Sequence, residues 1–334
     1  MLIDIVMLAV SLGVILLASI VFTNGIELMG HRCGFHQGIV GSILAAVGTA
    51  LPETIIPVIA ILFFNSASAH EVGIGAIAGA PFMLATLAFF ITGLAVLIYT
   101  ALGRRSRAIH TDVGGLSRDL SFFILLYTLA VLASLFHGHH IVRWGMASAL
   151  VLGYAWYIQQ TLCSDGHEIE EVDILHFSKY LRLPETRAVI IAQILISLVL
   201  MTLGAHFFVH YVSALSLKFG ISAMILSIII TPIATELPEK CNSVIWMGKR
   251  KDILAIGNIT GAMVFQSSFP VAFGVAFTAW DLTGVPLISA LLTITSAVMI
   301  YMWVRIKKSL NPYILLAGGL FYLIFMVYLV MRGG

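Results

Sequence analysis

Long apolar segments separated by short charged connections constrain this chain more than any other feature. Of its 334 residues, 60% are hydrophobic and 10% are charged, whereas a soluble domain has roughly 25% charged residues. A membrane-spanning helix needs about 20 mainly apolar residues. Ten segments meet this requirement: 3–29, 38–64, 72–99, 120–136, 141–161, 189–216, 221–247, 253–279, 284–304 and 312–331. The sequence therefore predicts an all-α membrane protein with ten transmembrane helices in a lipid bilayer.

The positively charged residues predict the orientation of the chain. Cytoplasmic loops retain Lys and Arg, and 15 of the 18 such residues fall in the connections that follow odd-numbered spans. Only Arg143, Lys218 and Arg332 fall on the other side, and the bias is still 14 against 3 if Lys240 lies inside the seventh span. We expect a multi-pass protein of the cell (inner or plasma) membrane with both termini outside. The net charge of +2 gives no indication of a nucleic-acid partner.

Two stretches of the chain repeat one another. Residues 48–53 read G-T-A-L-P-E and residues 234–239 read A-T-E-L-P-E, in a register of 186 positions. A G-x-x-x-G block follows each copy, at 75–79 and 257–261. An odd number of predicted spans separates the copies, so they are inserted in opposite orientations, which is typical of secondary transporters. The predicted organisation is two five-helix repeats.

The boundaries of these repeats follow from the spans. We expect the first five-helix repeat in residues 1–161, a short cytoplasmic linker in 162–187, and the second, inverted repeat in 188–334. Apolar residues near helical spacing in 174–183 indicate that this part of the linker lies along the membrane interface.

Each copy of the repeat places a glutamate in the middle of a span, Glu53 in the second and Glu239 in the seventh. An ionisable side chain there costs at least about 2.5–3.5 kcal/mol, so it is a functional candidate. Both glutamates follow a proline, and we expect the prolines to break their helices and free carbonyl oxygens. Such carbonyls, two carboxylates and the hydroxyls of Thr49 and Thr235 form an all-oxygen cage that suits a hard divalent cation.

These motifs resemble the two alpha repeats of the cation/calcium exchanger superfamily, whose consensus reads G-T-S-L-P-E and then G-N-x-x-G-S-N. The resemblance covers nearly the whole chain. It implies export of calcium in exchange for sodium or protons by alternating access, with the first and sixth spans sliding across the site. It also implies that Glu53, Glu239, Thr49 and Thr235 coordinate calcium. We expect no enzymatic activity, no cofactor, and a monomer whose partners are inorganic cations.

The chain departs from the family pattern at several ligand positions. The motif serine, a sodium ligand in exchangers of the sodium type, is replaced by Ala50 in the first copy and Glu236 in the second. The polar residue that follows each glycine block becomes Leu84 and Gln266. Sodium needs several neutral oxygens, so these losses argue against a three-sodium stoichiometry.

Two charged residues are gained in the second copy, Glu236 and Lys240. Three crowded carboxylates cannot all stay ionised unpaired, which favours protons as the coupling ion unless Lys240 neutralises one of them. The added charge also suits a differently hydrated divalent ion such as magnesium or manganese. Glu236 is thus a candidate metal ligand or the partner of Lys240 in a helical ion pair. Gln266 is a candidate ligand or a hydrogen-bonding residue between helices.

Two other function classes also use intramembrane carboxylates. An intramembrane metalloenzyme needs a ligand motif such as H-E-x-x-H, but no histidine follows three residues after His70-Glu71 or His167-Glu168. A cation channel lines its pore with carboxylates, and it differs from an antiporter because it passes net current without obligatory exchange.

Overall fold

The structure, a computed structural model, describes the backbone of residues 2–32, 50–136, 138–162 and 174–332, and their side chains except for 162, 237–239, 241, 242 and 332. Thr49, the side chain of Glu239 and much of the predicted second span lie outside this part of the chain. The described residues are helical, and the only strand-like contact among them is one bridge between Ile109 and Leu310.

The described residues form thirteen α-helices, which are α1 (Leu2–Arg32), α2 (Leu51–Leu62), α3 (Ala67–Met83), α4 (Phe89–Ala101), α5 (Val113–Ala133), α6 (His140–Leu162), α7 (His176–Leu181), α8 (Arg187–Phe219), α9 (Ala223–Gly248), α10 (Asp252–Gln266), α11 (Phe269–Phe277), α12 (Val285–Lys307) and α13 (Pro312–Arg332). A π-helical segment, Leu84–Ala88, joins α3 to α4. Eight stretches are long and apolar enough to cross a membrane, and two shorter apolar stretches, α2 (Leu51–Leu62) and the first part of α9 (Ala223–Glu236), lie in the other two predicted spans. An all-helical membrane fold is therefore confirmed, and the ten-span count stays a prediction.

Helix α5 begins earlier than its apolar residues indicate. The predicted span starts at residue 120, whereas the helix starts at Val113. Asp112 caps the helix, because its side chain accepts a hydrogen bond from the backbone N–H of Gly114 (2.9 Å). The extra turns bring Arg118 and Asp119 into the helix.

Helices α1 and α8 form a closely packed pair. A Cβ atom on Gly204 of α8 would lie 2.8 Å from Cγ1 of Ile15 on α1, so only glycine permits this approach. At one end of the pair, Lys218 Nζ lies 2.7 Å from Asp4 Oδ2. These are the first and sixth predicted spans, one from each half of the chain.

The linker helix α7 is attached to the other end of this pair. The backbone N–H of His176 donates to Asn24 Oδ1 on α1 (2.9 Å), and that of Phe177 donates to Gln193 Oε1 on α8 (2.8 Å). Gln193 Nε2 also donates to Asn24 Oδ1 (3.0 Å). Asn24 and Gln193 are 4% and 0% exposed. Side chains from both halves thus supply the acceptors that the first amides of α7 need.

Helices α3 and α9 cross at the first glycine block. A Cβ atom on Gly79 would lie only 2.5 Å from the carbonyl oxygen of Ile228. That carbonyl is four residues before Pro232, which has no N–H to donate to it. The backbone of Gly79 therefore packs closely against the carbonyl oxygen that Pro232 leaves without its regular intrahelical donor.

We expect Gly79→Ala to destabilise the protein by about 1–3 kcal/mol, because the new methyl group meets rigid backbone and must push α3 away from α9. The measurement is the thermal unfolding midpoint of the purified protein in detergent. Gly145→Ala in α6 is the matched control, since no described atom lies within 4 Å of its Cβ position. An equal midpoint for the two variants would contradict the tight crossing.

Candidate functional site

Polar side chains follow one another at four-residue spacing along α9. Ser227, Thr231 and Thr235 are 0%, 2% and 1% exposed. Thr235 Oγ1 donates to the carbonyl oxygen of Thr231 (3.0 Å), and its hydroxyl oxygen keeps acceptor lone pairs because the group has one proton to donate. Glu239 occupies the next position of this series, one turn further along the helix. The predicted ligand Thr235 is therefore buried, with its oxygen in the protein interior.

Glu236 lies in a buried polar cluster with Lys240 and Gln266. Lys240 Nζ is 3.3 Å from Glu236 Oε2, and Gln266 Nε2 on α10 donates to Glu236 Oε1 (3.2 Å). The side chains of Lys240 and Glu236 are 1% and 2% exposed, and Gln266 is 1% exposed. Glu236 is about 20 Å from the start of α9, at 1.5 Å per residue, which is near mid-membrane depth. Both the ion pair and the hydrogen bond between helices that the sequence suggested are present.

Glu53 lies in the first turn of α2 and is 4% exposed. The partial positive charge at a helix N-terminus favours a carboxylate there. Helix α2 packs on α3 and α8 and also contacts α9 and α11. The structure thus buries Glu53 on a helix that contacts the helix of Glu236. That Glu53 and Glu239 coordinate the same ion stays a prediction, and so does the expected coordination by Thr49.

The expected helix break at the second proline motif was wrong. Helix α9 continues from Ala223 to Gly248 through Pro232 and Pro238. In the first motif, Pro52 lies in the first turn of α2, where a missing N–H leaves no intrahelical bond unmade.

Interruptions occur instead at equivalent positions after the two glycine blocks. The π-helical segment begins at Leu84, and α10 ends at Gln266 before a turn at Ser267 and Ser268. Leu84 and Gln266 are 182 positions apart, the spacing of the glycine blocks. Ser268 Oγ donates to the carbonyl oxygen of Val264 (2.8 Å), which satisfies backbone at the turn. Irregular backbone therefore lies beside the Glu236 cluster, where half-helix ends suit ion binding.

Asp119 is a buried carboxylate that the sequence analysis missed. Thr260 Oγ1 donates to Asp119 Oδ2 (2.6 Å), and the Tyr157 hydroxyl donates to Asp119 Oδ1 (3.2 Å). These contacts join α5, α10 and α6. An acidic residue directly before an apolar run could have indicated this buried carboxylate. The sequence analysis placed Asp119 outside the membrane because it started the predicted span at residue 120.

A buried ion pair between Arg105 and Asp252 was also missed. Arg105 Nη1 and Nη2 each lie 2.8 Å from one carboxylate oxygen of Asp252, and the backbone N–H of His110 donates to Asp252 Oδ2 (2.9 Å). Arg105 Nη1 also donates to the carbonyl oxygen of Met247 (2.7 Å). The pair therefore joins the connection between α4 and α5 to the ends of α9 and α10, away from the mid-membrane cluster.

Within the part of the chain that the structure describes, no group of three or more His, Cys, Asp or Glu side chains could hold a metal ion. The side chain of Glu239 is not in that part. The buried charged residues of the site are thus distributed over α2 and α9, and Gln266 on α10 adds a neutral amide.

Comparison with known proteins assigns the chain to a family. The profile described as "Sodium/calcium exchanger protein" matches residues 3–160 and 189–333, which is most of the chain. The chain belongs to the sodium/calcium exchanger family. This confirms the resemblance to the cation/calcium exchanger superfamily.

A curated relative and several solved structures are similar to this sodium/calcium exchanger family member. Inner membrane protein YrbG of Escherichia coli (strain K12) is 25% identical over 245 residues, which are 72% of this chain and 69% of YrbG. The crystal structure of the H+/Ca2+ exchanger CAX matches with a TM-score of 0.75 at 18% identity, over 98% of this chain and 82% of CAX. The sodium-calcium exchanger NCX_Mj matches with a TM-score of 0.57 at 18% identity, over 98% of both chains. The chain is thus an integral, multi-pass membrane protein with an exchanger fold.

Proposed function

We propose that this protein is a secondary antiporter that carries calcium or a related divalent cation across the membrane in exchange for protons or sodium. The observation that supports this most is the burial of Glu53 and of Glu236, each within one copy of the repeated motif, on helices that contact one another. Buried carboxylates at membrane depth are costly and mark ion pathways. The family match and the likeness to two exchangers of calcium support the same proposal.

In this proposal Glu53 and Glu239 supply the negative charge for the divalent ion, and Thr49 and Thr235 supply hydroxyl oxygens. Two carboxylates balance one divalent cation, and oxygen ligands suit calcium. The coupling ion competes for the same carboxylates, so the two ions cannot be bound together. This competition makes exchange obligatory. Glu236 and Gln266 are further proposed ligands, because their hydrogen bond uses Gln266 Nε2 and leaves Gln266 Oε1 available to a cation.

The α1–α8 pair is the element that we propose to slide during alternating access. Its two helices come from opposite halves of the chain and pack more closely on each other than on the remaining described helices. Glycines at their contact, such as Gly204, allow the approach. A shear movement of packed helices past a fixed site is a known type of transport motion.

Protons are our preferred coupling ion, although the Glu236–Lys240 ion pair weakens one argument for them. The crowding of three carboxylates favours proton binding only where no fixed cation compensates them. The remaining argument is the loss of neutral sodium ligands, at Ala50 and Leu84 in the first repeat.

Flux measurements in liposomes test the proposal. We expect calcium to enter vesicles that contain the purified protein when an outward proton gradient is imposed without sodium. Uptake that requires an outward sodium gradient instead would assign sodium as the coupling ion. Net calcium current without any counter-ion would indicate a channel, and the absence of flux for calcium, magnesium and manganese would refute the antiporter.

A further inference from the structure

The ion pair of Lys240 and Glu236 is an unusual feature for the interior of a membrane protein. Oε1 of Glu236 accepts a hydrogen bond from the Gln266 amide at 3.2 Å, and Oε2 lies 3.3 Å from the Lys240 ammonium, within ion-pair distance. Removing two such charges from water costs several kcal/mol per ion, which their attraction barely repays. Stability alone therefore gives little reason for this pair.

The members of this cluster have no charged or amide counterparts in the first repeat. Positions 186 residues before Glu236 and Lys240 carry Ala50 and Thr54, and the position 182 residues before Gln266 carries Leu84. In the first repeat, Thr54 Oγ1 donates to the carbonyl oxygen of Ala50 (2.9 Å) and no charge is present at either position. Relative to the first repeat, the second repeat thus adds one negative and one positive charge at ion-pair distance. These two additions leave the net charge of the motif unchanged.

Lys240 also determines how much charge the site presents to a transported ion. Glu53, Glu236 and Glu239 together would carry three negative charges, which exceeds the charge of one divalent ion. With the ammonium of Lys240 on Glu236, the remaining charge is two. Neutralisation by a residue that cannot leave has the same electrostatic effect as a bound monovalent cation.

We propose that Lys240 is a tethered cation of the ion site. Its ammonium group, bound to Glu236, takes the place that a monovalent metal ion would otherwise occupy. The site therefore carries one divalent ion and no sodium with it. This inference rests on the proposed function, because it assumes that Glu53 and Glu239 bind the divalent ion. Lys240 acts as a specificity-determining residue because its ammonium neutralises Glu236. Gln266 positions the Glu236 carboxylate for this contact.

Removal of the tethered cation tests this inference. In Lys240→Met, Glu236 is left uncompensated, and we expect the purified protein to bind sodium at least about tenfold more tightly than the natural protein, because an unbalanced charge in a medium of low dielectric attracts a cation strongly. The measurement is sodium binding by titration calorimetry at alkaline pH without divalent ions. Size-exclusion chromatography and the thermal unfolding midpoint verify that the variant is folded.

The first repeat provides the matched control. Glu236→Ala with Lys240→Thr removes both charges and installs the residues found at positions 50 and 54. We expect this double variant to bind sodium as weakly as the natural protein. Sodium binding by Lys240→Met that is no tighter than in the natural protein, or equal gains in the single and double variants, would overturn the proposal.

A measurement on the natural protein covers the case in which Lys240→Met does not fold. Protein saturated with calcium is expected to retain no radioactive sodium on a desalting column, and sodium retained together with calcium would overturn the proposal. Failure of the proposed function is distinguished from both sodium-binding results by a separate measurement. If the protein is not an antiporter, liposomes that contain the natural protein show no divalent-cation flux.

Discussion

Glu53→Gln is expected to abolish divalent-cation exchange and to leave the fold intact. Glutamine has the shape of glutamate but lacks its charge, and Glu53 is 4% exposed, so no water or surface group replaces the lost charge. Loss of one charged partner at a buried site weakens binding by about a hundredfold or more. The measurement is calcium uptake by liposomes, which should fall to the level of empty vesicles. Glu239→Gln should have the same effect.

Glu71→Gln is the matched control for this change. Glu71 is also a glutamate near the apolar core, but it accepts a hydrogen bond from Ser222 Oγ (3.0 Å) at an exposed helix end. We expect uptake close to that of the natural protein. If Glu53→Gln elutes from size-exclusion chromatography like the natural protein and still takes up calcium at the normal rate, Glu53 is not a ligand of the transported ion.

Asp252→Asn is expected to cause the largest loss of stability of the substitutions considered. The side chains of Arg105 and Asp252 are 2% and 0% exposed, and removing one partner of a buried pair typically costs about 3–5 kcal/mol because the other charge stays buried. Asparagine keeps the size of the side chain but turns an amide toward the guanidinium. A thermal unfolding midpoint well below that of the natural protein is the expected result.

The ion pair of Lys218 and Asp4 provides the comparison, because the Lys218 side chain is 47% exposed. An exposed pair contributes about 0–1 kcal/mol, so Lys218→Gln should shift the midpoint only slightly. If Asp252→Asn and Lys218→Gln shifted the midpoint equally, the Arg105–Asp252 pair would not hold the loop to α9 and α10 as the structure indicates.

Much of the helical architecture was predictable because an apolar run of about 20 residues has few alternatives to a membrane helix. The predicted span 141–161 corresponds to His140–Leu162, for example. The start of α5 was not predictable in this way. Arg118 and Asp119 are charged, and the hydrogen-bond partners of the buried Asp119, Thr260 and Tyr157, are distant in the sequence.

The candidate site was predictable in part. Burial of Glu53, Thr235 and Glu236 follows from their positions inside apolar segments, and the four-residue spacing of Glu236 and Lys240 indicates an ion pair. The contact of Gln266 with Glu236 joins α9 to α10 and has no local signal. The helix interruptions were expected at the prolines, because proline is the strongest local breaker, yet tertiary packing keeps α9 continuous at Pro232 and Pro238.

The attachment of α7 to Asn24 and Gln193 has a mechanical consequence. Helix α7 is hydrogen-bonded to one helix from each half of the chain, so it would move with both helices in the sliding that we propose for the α1–α8 pair. The proposed sliding would therefore leave the hydrogen bonds of α7 to Asn24 and Gln193 intact. A bulky tag placed at Tyr180, which is 69% exposed, would travel with the pair and report its displacement by fluorescence.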